Sequence, residues 1–96
     1  MASGNFYMIY INRSEASSYE DVKKKMDLSR DWYRVTERLW ILYTTSDSEK
    51  WYARLNRLVK DDGSLLICKL DMSDRQGWMS EKFWEWLRKH EPSEPE

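Results

Sequence analysis

Apolar residues along this chain fall into two unbroken runs and several periodic stretches. Phe6-Tyr7-Met8-Ile9-Tyr10-Ile11 is apolar at six successive positions, so a strand there is apolar on both faces and belongs inside a sheet. Leu39-Trp40-Ile41-Leu42-Tyr43 repeats the pattern and predicts a second central strand. Between them, Trp32 to Thr36 alternates Tyr33 and Val35 with Arg34 and Thr36, which suits a half-exposed edge strand joined onward through Glu37-Arg38. Leu65 to Leu70 supplies a fourth strand. Helical spacing appears in three places. Tyr19, Val22 and Met26 follow a capping box of Ser17 and Glu20 and predict a helix from about Ser18 to Leu28. Trp51, Leu55, Leu58 and Val59 follow a second box of Ser46 and Glu49 and predict a helix ending near Lys60. Met79, Phe83, Trp86 and Leu87 mark one face of a short closing helix that runs to about His90. Asp61-Asp62-Gly63 is turn chemistry, with Gly63 free to take positive φ where the second helix stops.

Strand, helix, strand, strand, helix, strand, with short connections, predicts an α+β fold of the ferredoxin-like βαββαβ type: a four-stranded antiparallel sheet with an added C-terminal helix. Right-handed crossovers then place the first and third strands at the centre, and these are the two unbroken apolar runs. The organisation expected is a flexible N-terminus over 1–5, one domain over 6–90, and a disordered acidic tail over 91–96, where Glu91-Pro92-Ser93-Glu94-Pro95-Glu96 has no apolar anchor.

Ninety-six residues are few for a self-sufficient core, but six Trp, six Tyr and two Phe compensate, since each can bury roughly 150–250 Å². Sixteen Lys and Arg against seventeen Asp and Glu give a net charge of -1, so any nucleic-acid contact must be local and weak. Cys68 is alone in an apolar run, which excludes an internal disulfide and reads as a small buried hydrophobe. No stretch reaches the roughly 18 apolar residues of a membrane span, and no secretion signal opens the chain; the expected location is the cytoplasm, with no membrane partner.

In their order, the Phe6-to-Asn12 strand and the helix after it, Arg38-Leu39-Trp40-Ile41-Leu42, the Ser46-led helix, Asp62-Gly63-Ser64-Leu65-Leu66-Ile67, Gly77-Trp78 and Trp86-Leu87 resemble the SinR-like small proteins. Those are similar in turn to the Cas-two family, the small CRISPR adaptation subunit. The resemblance runs from Tyr7 to His90, and does not extend to the helical DNA-binding repressor of the same name. It implies a ferredoxin-like homodimer. In the CRISPR branch it also implies an Asp at the end of the first strand, one per subunit, holding magnesium for phosphodiester cleavage. Here that position is Asn12.

Magnesium is held by carboxylates, whose charge offsets the cost of dehydration, and a pair of neutral amides does not supply that charge. No cofactor or metal is therefore expected, and Asn12 reads as a strand-end residue bonding its own loop backbone. Glu37 is the weak substitute: it ends the same side of the sheet, but with a strand between, about 9–10 Å away at strand spacing. Asp71 should lie at the opposite end. His90, at a helix C-terminus, complements the dipole and has no nucleophile beside it in the sequence. Gly4, Gly63 and Gly77 are too scattered for a phosphate loop. Lys23, Lys24 and Lys25, with Arg30, Arg34 and Arg38, are the nucleic-acid candidates, although consecutive helical lysines fan out at about 100° each and read first as solvated surface.

An extra apolar sheet face predicts a partner, because two helices cover one face only and a single short helix cannot shield the other. Tyr10, Trp40, Leu42, Phe83 and Trp86 are the expected interface of a homodimer whose C-terminal segments cross over. The functional expectation is a homodimeric binding or assembly module, linked to nucleic-acid defence and lacking a complete catalytic site. A metal-dependent endonuclease acting on RNA or DNA, with magnesium, and a toxin-antitoxin component are the alternatives.

Overall fold

The computed structural model describes residues 4–91, so the expected acidic tail lies, apart from Glu91, outside the described residues. Strand β1 (Asn5–Asn12) pairs antiparallel with β3 (Leu39–Thr44) on one side and β4 (Ser64–Leu70) on the other, and β2 (Asp31–Arg34) pairs antiparallel with β3. The sheet order is β2-β3-β1-β4, which puts the two unbroken apolar runs at the centre. Three helices accompany the sheet: α1 (Tyr19–Met26), α2 (Ser48–Leu55) and α3 (Glu81–Lys89). No described helix is long and apolar enough to cross a membrane.

Helices α1 and α2 share one face. Val22 and Met26 of α1, Trp51 and Leu55 of α2, and Ile9, Ile11, Trp40 and Leu42 of the sheet form one buried cluster. The buried indole of Trp51 donates to Thr44 Oγ1 at 3.2 Å, so a polar strand residue in this core is satisfied by its aromatic neighbour. Helix α3 lies on the other face, where Phe83 and Leu87 pack on Phe6 and Ile41. Phe83 and Tyr33 meet edge to face at 5.2 Å, and Trp86 lies 6.0 Å from Phe6. The fold is thus helix pair, sheet, single helix.

Helix boundaries differ from the sequence pattern for local reasons. The α1 cap is Ser18, whose hydroxyl accepts from Asp21 N–H while the Asp21 carboxylate accepts from Ser18 N–H. Ser17 is turned inward, with its hydroxyl 3.3 Å from that of Ser14, so the predicted Ser17–Glu20 box does not form. Likewise Asp47 caps α2 by accepting from Lys50 N–H, because Ser46 N–H is spent on Thr44 Oγ1 as the strand ends. The second helix loosens after Leu55 into a 3-10 turn, Asn56–Val59. The edge strand stops at Arg34, and Val35 and Thr36 enter the hairpin turn, both N–H groups donating to Leu39 O. The left-handed residue after the second helix is Asp61, at φ 75°, a conformation Asp tolerates better than most residues. Gly63 has no positive φ; it is required by contact, since a Cβ there would sit 2.5 Å from Asn12 O. The N-terminal boundary also moves: Asn5 is already in β1, and Gly4 N–H donates to the Tyr43 hydroxyl.

Three expected interface residues are buried within the chain. Strand alternation puts Trp40 and Leu42 on the α1–α2 face, fully buried, opposite Tyr10 rather than beside it. Phe83 is buried by α3 docking on its own sheet. Helix α3 covers Phe6 and Leu70 at one end of this face and the β2–β3 side over Ile41, Tyr33 and Val35. On the remaining β1–β4 side, Tyr10 is 36% exposed and Leu66 53%, with half-buried Met8, Leu39 and Cys68 beside them in register. Cys68 is therefore half-buried rather than a core residue.

Candidate functional site

The end of the sheet at which β1 and β2 finish is built by three returning segments. The hairpin between β2 and β3 closes through Leu39 N–H to Thr36 O, and Arg38 O accepts from Ile11 N–H at 2.8 Å, which lays residues 36–38 over the end of β1. The loop after β1 is tied down by Ser14 N–H to Leu58 O and by the Arg13 guanidinium to Ser17 O at 2.6 Å. Asp62, leading into β4, accepts from Glu15 N–H. Together these segments enclose a cleft of about 320 Å³ lined by Ile11, Asn12, Arg13, Ser14, Glu15, Tyr19, Val22, Arg34, Glu37, Arg38, Trp40 and Asp62.

Arg34 is the most constrained cation in this cleft. Its guanidinium carbon lies 4.3 Å from the Tyr19 ring centroid and 5.4 Å from that of Trp40, and one Nη donates to Glu37 O at 3.3 Å. Stacking on two aromatic faces fixes the plane of the guanidinium and favours its charge. Its Nε is buried with no acceptor, and so is the indole N–H of Trp40. Each such donor costs about 1–3 kcal/mol if nothing accepts from it. Among the described residues, Arg13, Arg34 and Arg38 form no ion pair, although Glu15, Glu37 and Asp62 line the same cleft.

Asn12 and Glu37 do share this cleft, as strand direction implies, but Asn12 does not bond its own loop. Its Oδ1 accepts from Arg38 Nε at 3.0 Å. Among the described residues, no cluster of three or more His, Cys, Asp or Glu is placed to hold a metal ion. Asp71 is at the far end of the sheet, next to Leu70, which pairs with Phe6. Hydrogen bonds from the Ser73 hydroxyl and N–H hold its carboxyl below the usual carboxylate range.

The remaining candidates are dispersed. Lys23 pairs with Asp27 at 3.3 Å and lies 5.9 Å from the Trp32 ring; Lys24 and Lys25 are exposed on α1. Arg30 bonds through its N–H to Tyr43 O, at the opposite end of the sheet from Arg38. His90 is a clip: Nε2 lies 2.7 Å from Asp31 Oδ2, and the ring stacks on Tyr43 at 4.6 Å. Burial pushes the Asp31 carboxyl up, but hydrogen bonds from His90 and Trp32 N–H and the charges of His90 and Lys89 outweigh it and hold it below the ordinary value. The contacts of His90 thus join the end of α3 to the start of β2.

Of the basic candidates, only Arg34 and Arg38 come together, and the structure adds Arg13. The sequence signal for Arg13 is its position: the first residue past the end of β1 sits on the same side of the sheet as a hairpin between β2 and β3. Tyr19 and Trp40 read as core residues, and their contact with a cation emerges only when α1 is laid across the sheet. Comparison with family models, curated proteins and solved structures returns no match.

Proposed function

We propose that this chain is a cytoplasmic, ferredoxin-like homodimer of the SinR-like and Cas-two-like kind, acting as a binding or assembly module in nucleic-acid defence without a complete catalytic site. The strand order β2-β3-β1-β4, with one helix in each crossover, supports the fold reading. The observation that carries the assembly reading is the half of the sheet face that α3 leaves open, with Tyr10 and Leu66 exposed over half-buried Met8, Leu39 and Cys68. A second copy presents the same patch, so a two-fold contact matches apolar surface to itself, and a net charge of -1 sets little repulsion against it. Nucleic acid is then a weak, salt-sensitive partner of the α1 surface that carries Lys23, Lys24 and Lys25. The endonuclease reading lacks such support, because the carbonyl oxygen of Asn12 already accepts from Arg38, whose fixed charge opposes a cation there. Light scattering over a micromolar dilution series tests the assembly reading: a dimer that dissociates on dilution is expected, and a monomer at every concentration sinks it.

A further inference from the structure

We propose that the arginine cleft at the end of the sheet binds a phosphate monoester whose organic part carries hydroxyl or amino donors, the chemistry shared by nucleoside monophosphates and sugar phosphates. This goes beyond the assembly reading and does not depend on it. Arg13, Arg34 and Arg38 converge on one cleft, and among the described residues none has a carboxylate within ion-pair distance. Each is instead held by a neutral acceptor, Ser17 O, Glu37 O or Asn12 Oδ1, which orients the guanidinium and leaves it without a directly bonded carboxylate. A dianionic phosphate compensates that charge and accepts several charge-assisted hydrogen bonds at once. Arg34 and Trp40, which line the cleft, each also carry a buried donor without an acceptor, Nε and the indole N–H.

The carboxylates decide the class of ligand. Glu15, Glu37 and Asp62 line the same cleft and are exposed. A continuous polyanion running past them is repelled, whereas a small molecule with one phosphate can face the arginines and turn hydroxyl or amino donors toward the carboxylates. A volume of about 320 Å³ leaves most of the space to that organic part once a phosphate is seated.

Calorimetric titration of the full chain with AMP, ribose 5-phosphate, inorganic phosphate and adenosine tests this. At least one of the two monoesters should bind about tenfold or more tighter than inorganic phosphate, with adenosine weaker still, and the stronger monoester identifies the source. The indole proton of Trp40 should shift in NMR on saturation while that of Trp86, on the opposite face, stays in place. Arg38→Ala and Arg13→Ala, each checked for an unchanged circular dichroism spectrum, should lose about tenfold in affinity, the size of one charged hydrogen bond. Inorganic phosphate binding as well as both monoesters, no binding of either monoester at millimolar concentration, or folded arginine variants with unchanged affinity would overturn the proposal. So would saturation that leaves Trp40 unmoved, or tighter binding of a short single-stranded oligonucleotide without a terminal phosphate.

Discussion

Gly63→Ala is the sharpest probe of how the end of the sheet is packed. A Cβ at this position would stand 2.5 Å from Asn12 O, 2.7 Å from Val59 Cα and 2.9 Å from Val59 Cβ, against an ordinary contact of 3.4 Å or more. The nearest two obstacles are main-chain atoms, so no side-chain rotation relieves the overlap, and β1, the 3-10 turn or the start of β4 must move. Overpacking of this kind costs about 1–3 kcal/mol. Loss of glycine freedom in the unfolded chain returns about 0.4–1 kcal/mol, leaving a net loss of about 1.3 kcal/mol at mid-range. For a domain of this size that lowers Tm by about 5–10 °C. Gly77→Ala is the matched control, because its Cβ meets nothing nearer than Trp84 Cη2 at 3.9 Å. It should be neutral or stabilising by up to about 1 kcal/mol. Urea unfolding followed by tryptophan fluorescence gives both midpoints on one scale. A Gly63→Ala protein as stable as wild type, or a Gly77→Ala protein that loses as much, would refute the close approach of β1 and the 3-10 turn.

Trp51→Phe removes the buried donor to Thr44 Oγ1 and part of a fully buried ring, and should cost about 2–3 kcal/mol by urea unfolding; a loss below about 0.5 kcal/mol would contradict that bond. Asp31 has a lowered pKa in the folded chain, so its contribution is present above the unfolded value of about 4 and is lost as pH falls through the folded value. Asp31→Asn should therefore be less stable than wild type at neutral pH, with the gap closing below about pH 4, and a gap independent of pH would exclude that linkage. Replacing Lys23, Lys24 and Lys25 together with Gln should weaken low-salt binding to single-stranded DNA and flatten its salt slope in fluorescence anisotropy; unchanged binding would leave the run as ordinary solvated surface.

The sheet was legible because its signal is local and long: six unbroken apolar residues from Phe6 and five from Leu39 have no other good placement than the two central strands. The caps were displaced by one residue because Ser17 and Ser18 are equally good cap residues in isolation, and the choice is made by Ser14, whose hydroxyl and carbonyl engage Ser17. The open face was legible as an excess of apolar positions, but the division of labour across it was not. Alternation alone cannot say which set faces the helix pair, and so the pattern does not separate Trp40 and Leu42 from Tyr10, although they point the other way. The cleft was half legible. Arg34, Glu37, Arg38 and Asn12 follow from strand direction, whereas Arg13, Tyr19 and Asp62 arrive from loops and a helix whose path over the sheet end is set by long-range contacts such as Ser14 N–H to Leu58 O. Trp78, 99% exposed, carries no contact that explains it.

The assembly reading stands on the patch around Tyr10 and Leu66, and mixing two oppositely charged variants tests it most directly. Leu66→Glu and Leu66→Lys, each prepared alone, place like charges across a two-fold contact and should be monomeric by analytical ultracentrifugation, while the equimolar mixture should recover a dimer. Either variant remaining fully dimeric on its own, or a mixture that stays monomeric while wild type is dimeric, would contradict a self-complementary contact through this face.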